Sequence, residues 1–244
     1  MTTFSIMFVC TGNMCRSPIA ERLAVSALKQ HLDAEAGRVF EVSSAGTGTF
    51  DGREMTAEAA AVLIAHGGDP DGFRSTELTA ELIAAADLIL TATRAHRSAV
   101  VTLDPGALRR SFTLTEFART AAVLADRVAQ PVGPSGDPVG PSGDAVPGDA
   151  VPGDAVDGNA VGGAPIDGDT VDGEGDSLPD DPVERARAVV ALIARQRGTV
   201  RPGTPDEDDI PDPIGRPMPV YEAAGATIAR AVTSSVAALV GSRA

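Results

Sequence analysis

Residues 4–9, Phe-Ser-Ile-Met-Phe-Val, form a short apolar run closed by Gly12 and Asn13, and Pro18 then opens a stretch to residue 28 whose apolar positions recur at helical spacing. The order predicted is strand, loop, helix. Residues 39–42 read as a second strand closing on Ser43-Ser44-Ala45-Gly46, and residues 56–65 as an alanine-rich helix stopped by Gly67 and Gly68. There follow a helix over 79–86, a strand over 87–91, a helix over 95–103, a short strand over 111–113, and a helix over 116–128 with Phe117, Ala121 and Leu124 on one face. Beyond these the pattern predicts helices over 183–197 and 220–240, with 198–214 irregular. Strands alternating with helices predict an α/β fold: a small, mostly parallel, four-stranded sheet flanked by helices on both faces.

Residues 129–182 follow neither period. These 54 residues hold 12 of the 26 Gly, 9 of the 18 Pro and 12 of the 34 acidic residues, with no Lys, Arg or aromatic. Such a segment cannot bury enough apolar surface to offset a chain entropy of ~1–2 kcal/mol per residue. It therefore reads as a disordered acidic Gly/Pro-rich insert that divides one domain into 1–128 and 183–244. It also repeats itself, 132–137 recurring at 139–144 and 145–149 at 150–154. A surface insertion of this length is tolerated because closure cost rises only by ~0.6 kcal/mol per doubling of the loop. Its carboxylates Asp167, Asp169, Asp172, Glu174 and Asp176 invite a calcium reading, but their spacing does not match an EF-hand loop and a solvated linker explains them. No metal or cofactor is expected.

The insert also changes the meaning of the charge. The formal net charge of −14 is local, since the remaining 190 residues carry 20 basic against 22 acidic residues. No basic cluster argues for nucleic-acid binding, and one Tyr, no Trp and seven Phe leave little for base stacking. The first residues have no basic leader, the apolar run is too short for a signal peptide, and no later segment reads as a membrane span. Two cysteines five residues apart make no secreted disulfide framework and point to a reducing, cytoplasmic setting.

The candidate chemistry lies in Cys10-Thr11-Gly12-Asn13-Met14-Cys15-Arg16-Ser17, between the first strand and the first helix. A loop there turns backbone N–H groups inward and adds the partial charge of a helix N-terminus, an arrangement that binds phosphate. Cys10 lies at its base, where such a field, beside an arginine, favours the nucleophilic thiolate. Arg16 offers a planar guanidinium that can hold two phosphoryl oxygens, Ser17 can donate to the sulfur when it becomes the leaving group, and Asn13 suits a position of positive φ. A carboxyl group on a Pro-rigidified loop, such as Asp212, can protonate a leaving oxygen. The bland alternatives are a buried strand-end cysteine for Cys10 and a turn former for Asp212. His31, His66 and His96 read as structural or solvated.

Residues Val9 to Glu21, VCTGNMCRSPIAE, resemble the signature of the low-molecular-weight protein-tyrosine-phosphatase family. Ser44-Ala45-Gly46-Thr47 resembles the family's next segment, and Asp209-Ile210-Pro211-Asp212-Pro213 its acid loop. The resemblance implies a Rossmann-like α/β fold and hydrolysis of phosphorylated protein substrates through a cysteinyl phosphate. In it Cys10 is the nucleophile, Arg16 the phosphate clamp, Asp212 the general acid, and Thr11 to Ser17 the phosphate-binding loop. It also implies that Cys15 can form a protective disulfide with Cys10, with packing as the alternative role.

Members acting on phosphotyrosine usually carry an aromatic after the Asp-Pro pair, where this chain has Ile214; Phe50 is the candidate for an aromatic on the opposite wall, and Ser44 supports the loop. The middle of the chain is similar to the branch with protein-arginine phosphatases, which tend to place Thr where this chain has Met14. A long side chain there narrows the pocket, so phosphotyrosine is the first expectation and phosphoarginine the alternative. A thiol-dependent arsenate reductase would need relay cysteines beyond Cys15, and an inactive phosphate-binding module would more often have lost Cys10, Arg16 or Asp212.

Overall fold

The structure, a computed structural model, describes residues 2–33, 36–129 and 178–241. Most of the acidic insert, with its repeats and the carboxylates weighed for calcium, lies outside the described residues. Phe4–Cys10 (β1) alternates strictly: Phe4, Ile6 and Phe8 enter one core, while Met7 and Val9 enter a second. A strand buried in this way needs helices over its two faces and a strand at each edge to satisfy its backbone N–H and C=O groups. It pairs in parallel with Phe40–Gly46 (β2), Phe4 opposite Phe40 and Cys10 opposite Gly46, and with Leu88–Thr91 (β3), Ile6 opposite Leu88. β3 in turn pairs in parallel with Ser111–Thr113 (β4). The order is β2-β1-β3-β4, so the sheet is wholly parallel and all four carboxyl ends lie along one edge. In such sheets ligands bind at that edge, where the strand order reverses.

The helices are Arg16–His31 (α1), Ala57–Ala65 (α2), Ala80–Ala85 (α3), Arg94–Leu103 (α4), Leu114–Ala129 (α5), Pro182–Arg195 (α6) and Met218–Val240 (α7). Ile19 and Leu23 of α1, Phe117 of α5, Ile193 of α6 and Ile228 of α7 fill the larger core with Phe4, Ile6 and Phe8. Ile83 of α3 and Val100 of α4 fill the other with Met7, Val9 and Ile89. Each such side chain contributes roughly 1.5–3 kcal/mol of burial.

Helix starts follow the capping residues. Thr56, Thr79 and Thr93 accept backbone N–H bonds at the starts of α2, α3 and α4, and Asp181 does so for α6 with Pro182 at its first turn. α1 has no side-chain cap. Three short 3₁₀ turns, Ala36–Val39, Pro105–Arg109 and Pro205–Asp208, were not expected; the last falls in the stretch read as irregular and is closed by a Thr204–Glu207 capping box.

Among the described residues, α7 combines length with apolar composition. Its 23 residues include a window with a mean hydropathy of 1.4, long and apolar enough to cross a bilayer by length and composition. The physical reason lies in packing: Tyr221, Ala224, Ile228, Val232, Val236 and Leu239 are buried, and the helix lies against α1, α5, α6 and α2. A helix covered on several sides is apolar over more than one stripe.

Candidate active site

Cys10 ends β1 and Arg16 opens α1, so the five residues between them must turn sharply at the carboxyl edge of the sheet. Asn13 makes that turn with φ of 48°. Its side chain locks it: Nδ2 donates to Ser17 Oγ (2.9 Å) and Ser44 Oγ (2.8 Å), and Oδ1 accepts the Thr76 N–H (2.8 Å). Ser44 Oγ then donates to Glu21 Oε2 at 2.6 Å. Burial raises the pKa of Glu21, with the Ser44 hydrogen bond opposing the shift.

The loop's carbonyls are held on its outer side. Those of Cys10, Thr11 and Met14 accept the N–H groups of Thr47 (2.9 Å), Gly48 (3.0 Å) and Thr56 (3.1 Å). With those carbonyls engaged, the loop's own amides and the uncapped first turn of α1 can serve a bound anion. The β2 exit can approach so closely because residue 46 is glycine: a Cβ there would lie 2.6 Å from the Thr11 carbonyl oxygen and 2.7 Å from Thr49 Cγ2.

Cys10 Sγ lies 3.0 Å from Ser17 Oγ. Since Ser17 Oγ already accepts from Asn13, its own proton is available to the sulfur. Arg16 is buried, with Nη1 donating to the Ile210 carbonyl (3.0 Å) and Nη2 to Thr11 Oγ1 (3.5 Å) and to Asp212 Oδ2 (2.9 Å). Its Nε is buried without a partner among the described residues. Asp212 has its side chain 47% exposed, so one carboxylate reaches both Arg16 and solvent, and its Oδ1 accepts the Ile214 N–H (3.3 Å).

The signature residues, Ser44 and Asp212 are thus brought together from opposite ends of the chain. Met14 Cε and Ile214 Cδ1 lie 3.4 and 4.0 Å from where a Cβ would stand on Gly12, so both side chains close on that residue. Phe50 is 66% exposed, with the Arg53 guanidinium 5.0 Å from its ring. Cys15 packs in the larger core as a free thiol, as Cys10 is also free, and burial, then Cys10, pushes its pKa up to about 12.

Three participants escaped the sequence reading. Glu21 is one, visible only as part of the signature run. His96 takes the structural of the two roles expected for it, buried with Nδ1 2.7 Å from Thr93 Oγ1, and the part the sequence did not show is Nε2 at 2.8 Å from Thr11 Oγ1 in the nucleophile loop. Burial and the nearby Arg16 cation lower its pKa to about 4, so the ring is neutral. The third is Arg94, whose guanidinium and backbone N–H hold Asp209 at the start of the acid loop.

Comparison with known proteins places this geometry. Residues 5–137 match the family described as Low molecular weight phosphotyrosine protein phosphatase, a match that ends before the acid loop. The chain is 35% identical over 130 residues to a protein-arginine-phosphatase of Geobacillus stearothermophilus, covering 53% of this chain and 82% of that one. It is also 35% identical over 113 residues to a probable low molecular weight protein-tyrosine-phosphatase, EpsP, of Ralstonia nicotianae, covering 46% and 72%. Among solved structures, the tyrosine phosphatase amsI of Erwinia amylovora superposes with a TM-score of 0.54 at 17% identity, over 96% of this chain and 92% of that one. The YwlE arginine phosphatase of Geobacillus stearothermophilus gives 0.53 at 24% identity, over 96% and 90%. These likenesses show a shared fold, and with the match over the nucleophile loop and the sheet that carries it, the chain belongs to the low molecular weight phosphotyrosine protein phosphatase family.

Proposed function

We propose that this chain hydrolyses phosphotyrosine in proteins through a cysteinyl-phosphate intermediate. The observation that carries the reading is Cys10 Sγ held 3.0 Å from Ser17 Oγ in a loop whose carbonyls face outward, with Arg16 paired to Asp212 beside it. The Cys10 thiolate attacks phosphorus as the ester P–O bond breaks, and the Asp212 carboxyl gives its proton to the leaving oxygen. Water then attacks phosphorus, passing a proton to the Asp212 carboxylate, and the S–P bond breaks to return the thiolate and inorganic phosphate. Nη1 of Arg16 is committed to Ile210 and Nη2 is paired with Asp212, so a phosphoryl group takes the Nε–Nη2 edge by replacing Asp212 on Nη2, which frees that carboxyl for the leaving oxygen. The Ser17 proton stabilises the sulfur as it leaves.

A second reading, phosphoarginine in proteins, is favoured by the 35% identity to a protein-arginine-phosphatase. Met14 supports the first, because a long apolar side chain closing on Gly12 narrows the pocket and suits a flat ring better than a charged, branched guanidine, whereas Ile214 gives up the aromatic wall usual for phosphotyrosine. A thiolate enzyme with two free cysteines suits a reducing, cytoplasmic compartment, and a protective Cys10–Cys15 disulfide formed on oxidation belongs to the same reading. The acidic segment is read as a linker, so deleting residues 129–182 should leave turnover largely unchanged, and a large loss of activity would refute that reading.

The test is turnover of phosphotyrosine and phosphoarginine peptides by the wild type, with Cys10→Ser and Asp212→Asn alongside. Turnover of one peptide, abolished in Cys10→Ser and lowered ~10²-fold or more in Asp212→Asn, is the expected result, and the peptide preferred decides between the readings. Hydrolysis of neither peptide would overturn both.

A further inference from the structure

The acid loop is tied to the rest of the site at its first residue. Asp209 Oδ1 accepts the Arg94 backbone N–H (2.7 Å) and Nε (3.2 Å), and Oδ2 accepts Nη2 (2.7 Å) and Nε (3.2 Å). One carboxylate therefore answers a guanidinium fork and an orphan amide in the first turn of α4 together. The next residue is pinned too: Ile210 N–H donates to the Ala92 carbonyl (2.8 Å) and its carbonyl accepts from Arg16 Nη1 (3.0 Å). Between that pin and Asp212 stands Pro211, whose fixed φ passes the anchor's orientation along the chain. Arg94 touches neither Cys10 nor Arg16 in any hydrogen bond or ion pair among the described residues; its partner Asp209 stands immediately ahead of the Ile210 to Asp212 turn.

Resting on the phosphatase reading above, we propose that Arg94 is a positioning residue for the general acid: by gripping Asp209 it sets where the Asp212 carboxyl stands relative to the leaving oxygen. The Arg94 side chain is 48% exposed and that of Asp209 31%, so the pair adds little to global stability. Its effect falls on placement, where small displacements of a reacting group lower rates steeply.

General acid catalysis matters most when the leaving oxygen is basic, which separates this role from a merely structural one. The experiment compares kcat/KM for p-nitrophenyl phosphate, whose phenol leaves readily, with phenyl phosphate, whose phenol does not, in wild type, Arg94→Gln, Arg94→Lys, Asp212→Asn and Arg94→Gln/Asp212→Asn. Arg94→Gln should lose about tenfold or more on phenyl phosphate, part of the acid's ~10²–10⁴-fold contribution, and change little on p-nitrophenyl phosphate. Arg94→Lys should recover part of that loss, and Arg94→Gln should cost nothing further once Asp212 is Asn. Equal losses on both esters, or a loss that persists undiminished in the Asp212→Asn background, would overturn the role of Arg94. Wild-type turnover of these esters that is abolished in Cys10→Ser upholds the phosphatase reading separately, and its absence would overturn that reading instead.

Discussion

His96 Nε2 stands 2.8 Å from Thr11 Oγ1, joining α4 to the second residue of the nucleophile loop. The ring is neutral because burial, and then the Arg16 cation, lower its pKa to about 4 from an ordinary 6.5, against the opposing pull of Asp212 and Asp209. The folded value lies below the unfolded one, so between about pH 6.5 and 4 the unfolded chain binds more protons at this residue. Its contribution to stability is therefore complete above about 6.5 and is lost as pH falls through 4. Urea midpoints measured at pH 7 and 4.5 should fall further apart in the wild type than in His96→Gln. An equal drop in both proteins would show that His96 does not carry the effect.

Gly46 is expected to resist even the smallest substitution. In Gly46→Ala the new methyl would meet the Thr11 carbonyl oxygen at 2.6 Å and Asn13 Cβ at 3.1 Å, and backbone cannot rotate aside as a side chain can. The expected cost is ~1–3 kcal/mol in urea unfolding, typical of overpacking, with a fall in kcat/KM because the displaced atoms belong to the nucleophile loop. An alanine variant with unchanged kcat/KM would show that the loop can shift without consequence.

Asn13 combines a left-handed backbone with hydrogen bonds to Ser17, Ser44 and Thr76. Asn13→Gly loses the bonds alone, whereas Asn13→Ala also strains the backbone. The glycine variant should thus be the more stable by ~1–2 kcal/mol, while both lose activity because Ser17 is no longer oriented toward Cys10. Denaturation curves with Ala equal to Gly would remove backbone strain from the account.

Cys15 should stay silent toward alkylation. With its pKa at about 12, the thiol is protonated at pH 8, and the thiolate is the species that reacts with iodoacetamide. Peptide mass spectrometry of the native protein treated at pH 8 should find Cys15 unmodified; an adduct there would contradict a thiol neutralised by burial.

Much of this arrangement is legible in the sequence because it is local. Period changes mark the strands and helices, Thr and Asp mark helix starts, and the loop from Cys10 to Ser17 carries its residues within one turn of chain. Pairings across long separations leave no such mark. His96 lies between Arg94 and Arg97 in sequence and reads as structural or solvated with no partner in view, yet the packing of α4 on β3 buries its ring against Thr11, 85 residues away. The Asp209–Arg94 grip spans 115 residues, and without it Asp209 reads as one acidic residue among several. The apolar breadth of α7 likewise reflects neighbours, since its inward positions meet helices contributed by distant parts of the chain.

The hydrogen bond from Arg16 to the Ile210 carbonyl joins residues 194 apart. During vectorial synthesis the nucleophile loop leaves the ribosome well before the carbonyl that orients its arginine and the carboxyl proposed to protonate the leaving group, which lie far later in the sequence. Under the proposed chemistry, a growing chain holds a cysteine and an arginine without the partner that aims them. Catalytic competence is in this sense timed by translation: it begins when the Ile210 to Asp212 turn closes on the Cys10 to Ser17 loop.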